Sequence, residues 1–382
     1  MNTETVKLGE YLYIKGRIGW KGLKKDEYLP HGNYRIINGE ALTINGIDWN
    51  KAGYISKERY EESPEIMLQP NDILLSKDGT IGKIGYITEL EKPTSVASGI
   101  FVIRNEKPEI IDTKFIYYFL KSPYFKSFVS MRTEGSVIPH LYQKDFVEID
   151  FPLYKIEIQK KIVSILQSID DKIVVNSKIN RNLSEQVSSI YRSWFVDFDR
   201  NDGECPDDWT QATLEDIAEI TSGKRPPMKQ SDKSDDVNIP LVGAASIMGY
   251  TNSALYDSKI LVTGRVGSHG VIQRFNEKCW PSDNTLVITT QRYEFVNQVL
   301  ISIDYNSMNR GSTQPLITQG DLKKTEIILP SSEILDEFEA MAGGLMAQCE
   351  QNKLENIKLA ELRDSLLPKL MSGELDVSDL DI

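Results

Sequence analysis

The stretch Asn176-Ser177-Lys178-Ile179-Asn180-Arg181-Asn182-Leu183 returns as Asn352-Lys353-Leu354-Glu355-Asn356-Ile357-Lys358-Leu359, both N-x-x-x-N-x-x-L and 176 residues apart. Outward from it the echo continues: Gly135-Ser136-x-x-Pro139 returns as Gly311-Ser312-x-x-Pro315, and Asp145 as Asp321, at the same offset. A register shared over that distance marks an internal duplication. Pro152 and Pro330, which open the two stretches, lie 178 apart, so small insertions and deletions have accumulated.

Around the first copy, Ile158, Ile162, Ile165, Ile169, Ile173, Asn176, Asn180, Leu183, Val187, Ile190 and Trp194 recur every three or four residues, the period of an amphipathic helix. Around the second, Phe338, Met341, Leu345, Asn352, Leu359, Leu366 and Leu370 repeat the pattern. A helix of ~40 residues is about 60 Å long, and a single apolar stripe of that length needs a partner. Each copy supplies the other's. Asparagines in such a seam fix register at some cost in stability. Helix pairing and subunit contacts are therefore expected of Ile162, Ile169, Asn176, Asn180, Leu183, Trp194, Leu345, Asn352, Asn356, Leu359 and Leu366.

The remaining sequence reads as short strands and turns. Tyr34-Arg35-Ile36-Ile37, Ile73-Leu74-Leu75-Ser76 and Ile100-Phe101-Val102-Ile103 are strand-like, Asn45-Gly46 and Asp78-Gly79 are turn dipeptides, and residues 115–120 have helical spacing stopped by Ser122-Pro123. Gly203 to Trp209 breaks the helix, and the order then repeats. Thr213-Leu214-Glu215-Asp216-Ile217 answers Lys7-Leu8-Gly9-Glu10-Tyr11, and Ile260-Leu261-Val262 answers Ile73-Leu74-Leu75. Gly264-x-x-Gly267-x-x-Gly270 answers Gly79-x-x-Gly82-x-x-Gly85. The expected fold is α+β: two mostly-β domains, residues 1–152 and 201–330, separated by two long antiparallel helices, residues 153–200 and 331–382, in a pseudo-two-fold duplication.

The length of 382 residues, with 40% hydrophobic and 26% charged residues, fits a soluble globular protein of two or three domains. No apolar run has the length of a membrane span, and the first residues lack a signal-peptide core. Three scattered cysteines, Cys205, Cys279 and Cys349, exclude a disulfide scaffold and a cysteine zinc site, so a reducing cytoplasm is expected. The net charge of −12 is uneven: 20 basic against 21 acidic residues in 1–150, 8 against 6 in 151–200, 12 against 17 in 201–330, and 4 against 12 in 331–382. That excludes a uniformly basic DNA glove but permits local basic loops.

Two such loops stand at corresponding places. The first carries Lys15-Gly16-Arg17, Trp20-Lys21 and Lys24-Lys25, the second Gly223-Lys224-Arg225 and Lys229. Lysine and arginine there can hold phosphates, and arginine can read guanine; a solvated surface loop is the plainer alternative. The glycine runs fit neither a dinucleotide fingerprint nor a P-loop. They read either as tight turns or as loops approaching a phosphate or base edge with Lys77, Thr80 and Lys83, or Arg265, Ser268 and His269. Catalytic sets are missing: His31, His140 and His269 are dispersed, and Asp72 with Ser76-Lys77 hints at a nuclease pair that the second half does not repeat. No metal site and no catalytic residues are expected.

Residues Glu157-Ile158-Gln159-Lys160-Lys161-Ile162 with Asp170-Asp171-Lys172-Ile173, then Tyr191-Arg192-Ser193-Trp194-Phe195-Val196-Asp197-Phe198 before Pro206-Asp207-Asp208-Trp209, resemble the specificity subunit of type I restriction-modification systems. So does Leu362-Arg363-Asp364-Ser365-Leu366-Leu367-Pro368-Lys369-Leu370 with Ser372-Gly373-Glu374-Leu375. The chain departs from the family where Ile158 interrupts the usual Glu-Gln pair and where residues 332–337 lack the glutamine.

The resemblance implies two target-recognition domains, each reading half of a bipartite, asymmetric sequence in double-stranded DNA, with helices that set the spacer. It implies as partners two adenine methyltransferase subunits using S-adenosylmethionine, and ATP- and magnesium-dependent translocase or nuclease subunits, with no cofactor on this chain. The alternatives are a specificity subunit of a methyltransferase-only complex, or an adaptor with two ligand-binding β domains on a helical spacer.

Overall fold

The computed structural model describes residues 3–18, 22–133, 140–267, 269–308 and 316–381. The repeated Gly-Ser-x-x-Pro motifs at 135–139 and 311–315, and the expected DNA contacts Lys21 and Ser268, lie outside the described residues. The chain forms two compact units, residues 1–174 with 356–382, and residues 175–355. Each unit contains one β domain and one end of both long helices, Ile156–Phe195 and Ser332–Ser372.

In the first unit, a four-stranded antiparallel sheet runs in the order Leu12–Gly16, Ile100–Asn105, Ile73–Ser76, Ile84–Tyr86. Its strands are continuous apolar runs because both faces are buried. Ile73, Leu75, Phe101 and Ile103 enter the main core, whereas Leu74, Ile100 and Val102 point into a second one. The main core is completed by Phe115 and Phe119 of helix Thr113–Lys121, by Ile162 and Leu166 of the central helix, and by Leu367 and Leu370 of the C-terminal helix. A three-stranded mixed sheet, Gly53–Ile55, Tyr34–Ile37, Thr94–Val96, borders the second core.

The second unit repeats this. Its four-stranded sheet is Glu219–Ser222, Thr285–Thr289, Ile260–Gly264, Gln273–Phe275, and its mixed sheet is Ile247–Thr251, Ile239–Val242, Trp280–Pro281. In both units the terminal strands of the β domain pair antiparallel, Thr3–Lys7 with Asp150–Tyr154 and Thr210–Thr213 with Glu326–Leu329. The repeated aspartates do the same work. Asp145 accepts from the Tyr142 amide at 2.7 Å and Asp321 from the Thr318 amide at 3.1 Å, capping helices Gln143–Val147 and Gln319–Lys323.

The ladders correct two expected alignments. Ser76 lies opposite Ile100 and Gly264 opposite Thr285, each the first residue after a three-residue loop. Leu261, not Ile260, is therefore the counterpart of Ile73, and Gly267 and Gly270 are the counterparts of Gly79 and Gly82. All four glycines have positive φ, 65° and 90° in the first unit and 82° and 79° in the second. A spacing of three allows either alignment in sequence, and only strand register separates them. Gly85 lies instead inside a strand, where a Cβ would come within 2.6 Å of Ile47.

Each unit pairs its ends of the long helices antiparallel. In the first, Asp170 accepts from Arg363 at 2.8 Å and Tyr118 at 3.0 Å, and the Tyr154 hydroxyl donates to Met371 O at 3.1 Å. In the second, Asn352 donates to Asn180 Oδ1 at 2.9 Å and Asn176 to Glu355 at 2.7 Å. Asn180 reaches Cys349 O at 3.2 Å, and in the first unit Asn356, 176 residues after Asn180, makes the counterpart bond at 3.3 Å to Ile173 O, 176 residues before Cys349. Of the expected pairing residues, Ile162 is fully buried and Leu366 packs on the first core, while Leu183, Trp194 and Leu345 pack on the second unit's core. Ile169 is buried and Leu359 half-buried. The central helix ends at Phe195, and Phe198, Asp202 and Gly203 turn the chain with φ of 53°, 51° and 85°.

Candidate nucleic-acid interface

The glycine loops are built alike. In the first unit the Lys77 amide donates to Gly99 O at 2.9 Å and Lys77 O accepts from the Leu141 amide at 3.1 Å. In the second, the Arg265 amide donates to Asn284 O at 2.8 Å and Arg265 O accepts from Ile317 at 3.0 Å. Lys77 and Arg265 thus occupy the same place, between the segment that begins just after the Gly-Ser-x-x-Pro motif and the short loop joining two strands. Ser76 tightens the first loop by donating to Thr80 O at 2.7 Å and accepting from the Lys83 amide at 2.9 Å.

The cations differ in what they can reach. Thr80, Lys224 and Arg225 are exposed, and Lys15, Lys77, Lys83 and Arg265 half-buried. Lys83 Nζ donates to Gly39 O at 2.8 Å, Lys77 Nζ sits 5.0 Å above the Phe101 ring, and Lys15 Nζ lies 5.7 Å from the Tyr13 ring. His269 stacks on Tyr305 with centroids 6.1 Å apart, and His140 contacts Asp78.

Arg17 is not a surface contact. It is 2% exposed and donates to Val96 O at 3.2 Å, Ser63 Oγ at 3.4 Å and Ser95 Oγ at 3.5 Å. Burial, and then neighbouring Arg59, hold its pKa below the usual arginine value. Its partners lie 46 to 79 residues away in sequence, so nothing local marks it as interior. The two basic loops are also not equivalent. Gly16 stands opposite Phe101 and Ser222 opposite Leu286, which places Gly223 at the position of Arg17.

Gly223 is required where it sits. A Cβ there would lie 2.2 Å from Ser282 O and 2.6 Å from Pro281 O. The chain then holds the basic segment against the facing strand through Lys224 N to Pro281 O at 3.0 Å and Trp280 Nε1 to Lys224 O at 2.7 Å.

Two residues place each β domain on a long helix, a role the sequence did not reveal although Gln159 stands in the family motif quoted above. Gln159 accepts from the Asp112 amide at 2.8 Å and donates to Tyr154 O at 2.7 Å. Glu339 accepts from the amides of Glu294 and Phe295 at 3.0 and 2.9 Å, and burial raises its pKa. Both grip the start of a domain helix, Thr113–Lys121 or Tyr293–Ser302. Among the described residues no three His, Cys, Asp or Glu side chains gather as a metal-binding set.

The two units thus share a scaffold and differ in their polar loops, and comparison with known proteins shows the family. Residues 2–185 and 206–362 match the family described as type I restriction modification DNA specificity domain. The chain belongs to this family. The type I restriction enzyme MjaIX specificity subunit of Methanocaldococcus jannaschii is 25% identical over 78% of this chain and 76% of its own length. The MjaVIII specificity subunit of the same organism is 26% identical over 99% and 94%. The crystal structure of a type I restriction-modification S subunit from M. genitalium shares the fold, with a TM-score of 0.56 at 17% identity over 99% of this chain and 97% of that one. As a specificity-domain protein, the chain carries its DNA-recognition function in two copies. Among its described residues no helix is long and apolar enough to cross a membrane.

Proposed function

We propose that each β domain reads one half of a bipartite DNA target, that the paired helices set the spacer, and that two adenine methyltransferase subunits dock on the chain. The observation that carries this is the matched backbone at Lys77 and Arg265, the same scaffold presenting Ala97-Ser98-Gly99 in one copy and Ser282-Asp283-Asn284 in the other. Equal frames with unequal base-facing chemistry suit an asymmetric target. The chain itself catalyses nothing: S-adenosylmethionine belongs to the methyltransferases, and ATP and magnesium to any translocating nuclease subunits. Val174, Val175 and Ile179 on the central helix, and Leu354, Ile357 and Leu362 on the C-terminal helix, are exposed apolar residues suited to protein partners. A net charge of −12 leaves much of the phosphate neutralisation to those partners.

The helical spacer has a direct test. Four residues added after Ser184, matched by four beside Cys349 on the facing helix, lengthen the pair by about 6 Å. The non-specific spacer in the methylated motif is expected to grow by about two base pairs, at roughly 3.4 Å each, with both half-sites unaltered. An unchanged spacer in a complex that still methylates contradicts the role given to the helices.

A further inference from the structure

The structure assigns base reading in the second domain to residues 282–284, acting across a cavity from Arg225 and Lys229; this rests on the two-reader function proposed above. The cavity holds about 380 Å³ and is lined by Arg225, Lys229, Met228 and Met248 together with Ser282, Asp283 and Asn284. That lies within the usual range for a ligand pocket. Its floor is fixed by backbone bonds, Ser282 N to Val242 O at 2.9 Å and Arg265 N to Asn284 O at 2.8 Å, together with the close approach of Gly223.

Three observations point to a ligand here. Ser282 is 3% exposed, and its buried hydroxyl has no hydrogen-bond partner among the described residues, which is costly unless something else bonds to it. Asp283 and Asn284 are exposed on a loop anchored at both ends, so their side chains are free to bond outward from a fixed backbone. The same loop in the first domain is Ala97-Ser98-Gly99, without carboxylate or carboxamide, although its backbone bonds to Lys77 as residue 284 bonds to Arg265. Mixed chemistry suits duplex DNA. Arg225 and Lys229 pair with phosphates, asparagine makes a bidentate contact to adenine, aspartate accepts from cytosine N4, and apolar side chains meet the thymine methyl.

The test uses the full chain co-expressed with its methyltransferase subunit in a methylation-free host, with the methylated motif read by sequencing. Asn284→Ala and Asp283→Ala are expected to relax one or more fixed bases in the half-site belonging to the second domain, with about ten- to hundredfold less discrimination there. The other half-site stays fixed. Arg225→Gln and Lys229→Gln are expected to lower methylation of all sites alike and leave the motif intact. A motif unchanged in Asn284→Ala and Asp283→Ala, or relaxed in the other half, overturns the assignment. If the wild-type complex methylates no bipartite motif, the two-reader function fails first and this assignment falls with it.

Discussion

Phe338→Ala is expected to destabilise the second unit by about 4 kcal/mol, within the range for truncating a buried phenylalanine. Phe338 is fully buried, with its ring 5.1 Å from Phe195, 6.0 Å from Trp194, 6.2 Å from Tyr191 and 6.5 Å from Phe295. It joins three elements: the central helix, the C-terminal helix that carries it, and the domain helix that starts at Tyr293. Removing it opens a cavity that rigid neighbouring rings fill poorly. For a unit of this size the midpoint of thermal unfolding is expected to fall by about 10 °C. Met341→Ala on the same helix, 40% exposed, should shift it little. Equal, small shifts for both variants in thermal melts contradict the packing described for this core.

Asp72→Ala is the second large effect, and it bears on function as well as stability. Asp72 had the look of a nuclease carboxylate beside Ser76-Lys77. Instead it is fully buried and accepts from Arg104 Nε at 2.7 Å and Nη2 at 2.8 Å, and from the Gln69 amide at 2.7 Å. Truncation leaves the Arg104 guanidinium, 27% exposed, with Met67 O at 3.1 Å and the Tyr13 ring 5.5 Å below. A broken buried ion pair costs about 3–5 kcal/mol, and the partial exposure of Arg104 lowers the expectation to about 2–4 kcal/mol. Asp72→Asn keeps an acceptor for Arg104 and should lose less. A carboxylate that did chemistry would behave oppositely, with Asp72→Asn leaving unfolding unchanged and abolishing activity. Denaturant unfolding of the two variants separates the cases.

The long helices were legible because a period of three or four residues is local and the N-x-x-x-N-x-x-L repeat is long. The strands were legible as apolar runs, and the recognition resemblance rested on the helix ends. What escaped was set by contacts distant in sequence. Arg17 reads as a surface cation until Val96, Ser95 and Ser63 are brought around it. The glycine runs gave the right loops in the wrong register, because three-residue spacing repeats on itself while ladder pairing does not. Nothing local in the sequence singles out Asp283 and Asn284. They stand out only once the Arg265 amide bonds Asn284 O and their loop lines a cavity together with Arg225. The capping roles of Gln159 and Glu339 were illegible for the same reason: a helix-start cap supplied by a different helix has no local signature.

Two domains on one chain that read two half-sites independently make a prediction of their own. Its most direct test is the methylation pattern of a methylation-free host expressing this chain with its methyltransferase subunit, read before and after residues 209–330 are exchanged for those of a family member with a different target. The account predicts a bipartite motif with a modified adenine in each half, of which the exchange changes one half and leaves the other half and the spacer as they were. A stable complex that methylates no such motif, or an exchange that alters both halves or neither, contradicts it.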